Sequence, residues 1–318
     1  MSKYRSSLPQ MSGDVFLTDG GIETCLIFHD GVDLPYFAAF VLLETEEGRD
    51  TLRRYFRRYA ALASERNLGF ILESPTWRAS ADWGDKLGYD ADRLAAANRD
   101  AIALMAEVRD AYETPGTTFV ISGCLGPRGD GYDPGDVMSI GQARKYHAAQ
   151  IRAFAEAGAD MVTAITMTNV EEAAGLALAA RDAGMPCAIS FTAETDGRLP
   201  SGTEMGAAIG FVDAATAGHP AYYMINCAHP THFEDALARG ESWLERVRGV
   251  RANASTMSHA ELDESETLDD GDPEDLARRF RAFRETMPNL NVLGGCCGTD
   301  HRHIEAIRDA CTHNRAAA

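Results

Sequence analysis

The sequence predicts a (β/α)8 barrel, the TIM-barrel fold, as a single domain over residues 1–318. Three observations predict it. Short β-rich apolar runs recur along the chain, with longer helical segments between them. Most of these runs are apolar on both faces, as strands of a sheet covered by helices are. Eight such runs fit within 318 residues, a length that suits eight strand–helix units.

The elements follow in order. The first strand is expected at Asp14–Thr18 and the second at Phe70–Leu72, with a helical pattern over Arg49–Asn67 between them. A second helix, Asp90–Tyr112, leads to a strand at Thr118–Ser122. Ser139–Ala157 then ends at Gly158, a residue that closes helices by adopting left-handed backbone. Strand four is expected at Asp160–Thr166. The helix Val170–Ala183 stops at Gly184, with Pro186 close behind. The remaining strands read Cys187–Phe191, Tyr222–Asn226, Val247–Ala252 and Asn291–Leu293. Pro273–Thr286 is a helix with Asp272 as its N-cap and proline at its first position. The stretch Ala254–Asp272, rich in Asp, Glu, Ser and Thr, reads as an exposed insertion after strand seven. A doubly wound open sheet is the alternative, but Asp19-Gly20-Gly21 is too short for a dinucleotide-binding glycine fingerprint.

Composition narrows the function. The net charge of −18 argues against nucleic acid, which needs a basic footprint, and against an anionic membrane surface. No apolar run reaches the roughly 18–20 residues of a membrane span. The start, MSKYRSSLPQMSGD, has no apolar core of the secretory kind, so a cytoplasmic location is expected. Seven cysteines make an odd number for a disulfide framework. Metal binding or reactivity is the better reading of them. Nothing in the chain fixes whether it forms homo-oligomers.

The chemistry concentrates in Asn291-Val-Leu-Gly-Gly-Cys-Cys-Gly-Thr-Asp-His-Arg-His303. Cys296 and Cys297 follow strand eight, and Cys227 follows strand six. In a barrel of this kind all strand C-termini face one rim, where active sites are built. Glycines 294, 295 and 298 would let the backbone turn tightly enough to bring both neighbouring thiols inward. Three thiolates suit zinc, which favours sulfur ligands in tetrahedral geometry and here would keep one position for water or substrate. A substrate thiol entering that position would lose its proton. Against this stands the plain reading of buried cysteines as small apolar residues. Cys25, Cys124, Cys187 and Cys311 are read in that way.

At these residues the sequence resembles the homocysteine S-methyltransferase family over nearly its whole length. The pieces are Asp19-Gly-Gly21, Ala79-Ser80, Gly126-Pro127, Ser201-Gly-Thr203, Ile225-Asn-Cys227 and Gly294-Gly-Cys-Cys-Gly-Thr299. The resemblance implies an enzyme that joins a homocysteine thiolate, held on Zn2+ by Cys227, Cys296 and Cys297, to the methyl group of a cationic donor. It places Asp19 near the amino group of homocysteine and Gly20, Asn226 and Gly295 around the acceptor. It also reveals a departure. The family's glutamate at the end of strand four aligns with Ile165, followed by Thr166, and an isoleucine cannot pair with an ammonium. Glu73, at the end of strand two on the same rim, is the candidate replacement.

The donor would be a sulfonium or quaternary ammonium, cations that aromatic faces hold well. Trp77, Trp83 and the pair Tyr36-Phe37 are the candidate rings, with Trp77 first among them. Arg78 is a candidate partner for a donor carboxylate, as in betaine or S-methylmethionine. S-adenosylmethionine stays open as well. His229, His232, His301 and His303 lie near the cysteines but are read as capping or solvent-exposed residues. The alternatives to a methyltransferase are a zinc hydrolase and a non-catalytic zinc or redox-responsive protein. The hydrolase is disfavoured because three thiolates weaken the Lewis acidity that water activation needs.

Overall fold

The computed structural model describes residues 2–237, 240–265, 267–287 and 289–312. Its strands close into a parallel barrel in the order β1 (Phe16–Leu17), β2 (Gly69–Glu73), β3 (Phe119–Leu125), β4 (Met161–Met167), β5 (Cys187–Thr192), β6 (Tyr222–Asn226), β7 (Val247–Ala252) and β8 (Val292–Gly295). The barrel shuts where Phe16 pairs with Val292 and Leu17 with Leu293. Each strand is followed by a helix: α1 (Glu46–Ser64), α2 (Ala91–Tyr112), α3 (Ile140–Ala157), α4 (Val170–Asp182), α5 (Met205–Thr216), α6 (Pro230–Leu237), α7 (Pro273–Thr286) and α8 (His301–Thr312). The expected (β/α)8 architecture is therefore present.

Strand alternation explains why the runs are apolar on both faces. On β2, Phe70 and Leu72 join the outer core beneath the helices, whereas Ile71 joins the inner cluster with Val120, Met161, Ala188, Tyr222 and Val292. One step further along each strand, the inward positions turn polar: Glu73, Ser122, Thr163, Ser190, Asn226 and Arg251 are all buried. Buried polar groups persist only when they find partners. Ser122 and Thr163 share a hydroxyl–hydroxyl bond of 2.7 Å, and Ser190 donates to Asn226 Oδ1 at 2.6 Å. This polar tier is the floor of the site. The opposite end is plugged by the N-terminal segment, whose Leu8 enters the inner cluster while Asp160 accepts from the amides of Lys3 and Tyr4.

The strand and helix boundaries move by at most three residues from those read in the sequence, and β6, β7 and α7 coincide. The larger correction concerns residues 254–272. This stretch carries a short helix, His259–Asp263, and is more than an exposed insertion: Ser255, Leu262 and Thr267 line the cavity above the barrel.

Candidate active site

The cavity opens at the carboxyl ends of the strands and holds about 340 Å³. Cys227, Cys296 and Cys297 lie on its wall, and their sulfurs all fall within 4.8 Å of one another. Cys227 Sγ is 3.0 Å from Cys296 Sγ and 3.5 Å from Cys297 Sγ. Local backbone makes this possible. Cys227 leaves β6 in left-handed conformation, φ 56°, and its amide donates to Arg251 O at 3.1 Å. The amide of Cys296 donates to Ala252 O, and Cys297 O accepts from the amide of Ala254. The glycines around the pair serve two purposes. Gly298 adopts φ +78°, as the expected tight turn requires. Gly294 and Gly295 are needed for space: a Cβ would lie 1.8 Å from Thr18 Oγ1 in the first and 2.0 Å from Thr299 Oγ1 in the second.

The cluster fits a tetrahedral cation. Zinc–sulfur bonds of about 2.3 Å set ligand sulfurs ~3.8 Å apart, so Cys227 and Cys296, at 3.0 Å, need to open by about 0.8 Å and Cys227 and Cys297, at 3.5 Å, by about 0.3 Å. Electrostatics agree. Hydrogen bonds from Cys227 and Cys297 hold the Cys296 thiol well below its ordinary pKa, with Arg251 helping. Cys227 is pushed well above, first by its bond to Cys296 and then by Cys297 and burial. One negative charge is thus easy to place on the three sulfurs, and the next two need a cation to balance them.

The structure brings most of the expected acceptor residues to one cavity. Asp19, Gly20, Glu73, Trp77, Thr166 and Ile165 all line it. Asn226 and Gly295 stand directly behind the wall. Asn226 clamps Thr166, accepting from its amide at 3.0 Å and donating to its hydroxyl at 2.9 Å, which holds that β-branched residue at φ 64°. Gly295 O accepts from Arg251 Nε at 3.1 Å. Asp19 is already engaged. Its Oδ1 accepts from Arg251 Nη2 at 2.7 Å and its Oδ2 from Tyr55 at 2.8 Å. Glu73 is different: its Oε2 is buried with no hydrogen-bond partner among the described residues, and burial pushes the carboxyl up to about 7.

On the donor side, Arg78 lines the cavity, and its Nε is buried without a hydrogen-bond partner among the described residues. Its guanidinium lies 4.0 Å from the Trp77 ring and 3.8 Å from the Trp83 ring, and its Nη1 donates to Gly129 O at 2.8 Å. The two tryptophans therefore enclose a cation of the chain itself. Trp77 still lines the cavity, donating from Nε1 to Ile165 O at 3.3 Å, and Phe37 stands exposed at the mouth. Phe37 and its neighbour Tyr36 both hold left-handed backbone, φ 60° and 55°. None of the four histidines belongs to the sulfur cluster, but His229 and His303 are buried, not solvent-exposed as expected. His229 bonds Thr231, His232 bonds Thr256 O and His303 bonds Asp270 O.

Sequence reasoning missed four residues of the site. Arg251, on the inward face of β7, neutralises Asp19. Glu23, in the first βα loop, lines the cavity with its carboxyl pushed up to about 7 by burial. Tyr132, from the loop after β3, places its hydroxyl 3.4 Å from Cys227 Sγ and 3.3 Å from Cys297 Sγ. His259 stacks on the Tyr132 ring at 4.0 Å and sets its Nε2 2.6 Å from Cys227 O. A charged residue at the end of a strand covered on both faces was a readable signal for Arg251. The loop positions of the other three carry no such signal.

The fold and the site define a barrel enzyme whose reactive rim carries three clustered thiols. The chain belongs to the homocysteine S-methyltransferase family: that family's model matches residues 16–311. It is 22% identical to homocysteine S-methyltransferase 2 of Arabidopsis thaliana, covering 96% of each chain. It is 22% identical to selenocysteine Se-methyltransferase of Brassica oleracea var. italica, covering 96% of this chain and 91% of that one. Among solved structures, the metallated form of the homocysteine methyltransferase MmuM from Escherichia coli superposes with a TM-score of 0.71 at 20% identity, covering 93% of this chain and 96% of that one. Among the described residues, no helix is long and apolar enough to cross a membrane.

Proposed function

We propose that the protein is a single-domain, zinc-dependent thiol S-methyltransferase that moves a methyl group from a sulfonium or quaternary ammonium donor to homocysteine, forming methionine, or to a related thiol. The observation that carries this reading is the convergence of the Cys227, Cys296 and Cys297 sulfurs within 4.8 Å at the cavity wall. These three residues would hold the metal, which supplies the charge that keeps an acceptor sulfur deprotonated at neutral pH. In the transfer, the acceptor's sulfur bonds to the methyl carbon while the donor's C–S or C–N bond breaks and its electron pair stays with the donor. No general base is required for that displacement.

Glu73 is the residue we assign to the acceptor's ammonium. An ammonium entering a closed cavity needs a carboxylate. Asp19 is occupied by Arg251 and Tyr55, Ile165 offers nothing, and Glu73 Oε2 is without a partner among the described residues. Thr166 and Gly20 complete the acceptor wall, with Asn226 fixing Thr166 from behind and Gly295 bonded to Asp19 O and Arg251. On the donor side, Trp77 and Phe37 present ring surface to the methyl-bearing cation.

The test is direct. Homocysteine is incubated in turn with S-methylmethionine, S-adenosylmethionine and glycine betaine, and methionine is measured by mass spectrometry. Methionine from one of them, with zinc bound to the wild type and lost from Cys297→Ala, supports the reading. Activity that persists in a metal-free preparation contradicts it.

A further inference from the structure

The proposed chemistry creates a selectivity problem that the fold must solve. A donor that reaches the metal meets the acceptor's sulfur and three cysteine sulfurs. If a cysteine took the methyl group, its sulfur would bond to the methyl carbon, the donor would leave with the electron pair, and a thiolate ligand would become a neutral thioether. The site would lose its metal.

The cysteine sulfurs differ from an incoming sulfur in their neighbours. Tyr132 Oη lies 3.4 Å from Cys227 Sγ and 3.3 Å from Cys297 Sγ. Asn226 Nδ2 lies 3.8 Å from Cys296 Sγ. Both donors are locked in place. The Tyr132 ring stacks on His259 at 4.0 Å and 22°, and His259 is itself fixed between Cys227 O at 2.6 Å and Glu194 Oε1 at 3.2 Å. Asn226 Oδ1 accepts from the Thr166 amide and the Ser190 hydroxyl, which obliges its amide nitrogen to face Thr166 Oγ1 and Cys296. A phenol of ordinary acidity carries its proton at neutral pH, hence can donate.

A hydrogen bond given to a thiolate stabilises its charged form. A more stabilised thiolate is intrinsically less nucleophilic. From this we propose that Tyr132, with Asn226, is a positioning residue that directs methylation away from the cysteines, by damping the protein's own sulfurs and leaving the acceptor's as the most reactive. The inference rests on the metal–thiolate reading above and goes beyond it, because it says which sulfur at the centre stays unreacted and why.

Iodomethane tests it without reference to the natural donor. Zinc-loaded wild type and Tyr132→Phe are exposed to iodomethane without acceptor, and methylated cysteines are located by peptide mass spectrometry. Losing one hydrogen bond to a charged sulfur predicts methylation of Cys227 or Cys297 about tenfold faster in Tyr132→Phe. In cobalt-substituted protein, the thiolate-to-metal charge-transfer band moves to lower energy in the same variant, a signature that a merely structural role would not give. His259→Gln, which loosens the ring but keeps the hydroxyl, shifts both readouts less and in the same direction. Equal methylation rates and an unmoved band, in a metallated wild type that methylates its acceptor, overturn this inference alone. A wild type that binds no metal overturns it together with the function proposed above.

Discussion

Single residues decide the charge balance of the cavity. Arg251 is buried, and its Nη2 bonds Asp19 Oδ1. Removing one partner of a buried pair leaves an uncompensated charge, so Arg251→Met should cost about 3–5 kcal/mol in unfolding free energy. Asp19→Asn in the same background should recover part of that loss; denaturant titration of both variants checks this. Glu73 gives a pH signature. Burial raises its carboxyl from 4.5 to about 7 in the folded chain. The folded state therefore keeps a proton that the unfolded state releases, and stability falls as pH rises through that window. Glu73→Gln cannot ionise, so its Tm relative to wild type should be more favourable at pH 8 than at pH 5. A constant difference between the two pH values would contradict the burial effect. The same variant should raise KM for the acceptor.

The cysteines were legible at this scale because residue type and strand-end position point to one chemistry. Tyr132 was not. Its neighbours, Gly131 and Asp133-Pro134-Gly135, announce only a loop. Nothing local says that the loop after β3 folds back onto residues from β6 and β8. The same holds for Arg78, whose place between Trp77 and Trp83 depends on how the β2 loop packs.

At the scale of elements, helix ends and strand tips set the geometry. The N-cap of α7 is Asp272, whose Oδ1 accepts from the amides of Glu274 and Asp275. Asp272→Ala should cost about 1 kcal/mol and leave metal content unchanged, since α7 lies outside the sulfur cluster. Thermal melts and metal analysis of one preparation measure both. This cap was readable because Asp-Pro before an amphipathic run is a local signal. Helix α5 escaped notice: Met205–Thr216 mixes alanines and glycines with scattered apolar residues, so its buried face gives little periodic contrast. The fold assigns it a helix because β5 and β6 are parallel neighbours and need a crossover between them. The stretch 254–272 was misjudged for a related reason. Its polar composition describes the side that faces water, whereas Leu262 and Thr267 line the cavity.

For the whole molecule, the barrel was the most legible feature, because eight doubly covered apolar runs leave few other arrangements. The strands bring Cys227 and the pair Cys296-Cys297 together from positions about 70 residues apart. A metal bound only by the folded barrel stabilises it by mass action. Chelation should therefore lower the Tm of the wild type and leave that of Cys297→Ala unchanged. A chelator effect of equal size on both would place the metal elsewhere.

The central claim is that three cysteine sulfurs hold one metal and keep a place for the sulfur of the acceptor. X-ray absorption at the zinc edge, on the protein with and without homocysteine, tests it most directly. The account predicts three sulfur neighbours without the thiol and a fourth when it is added. An unchanged sulfur count on adding a thiol that the enzyme methylates would contradict it.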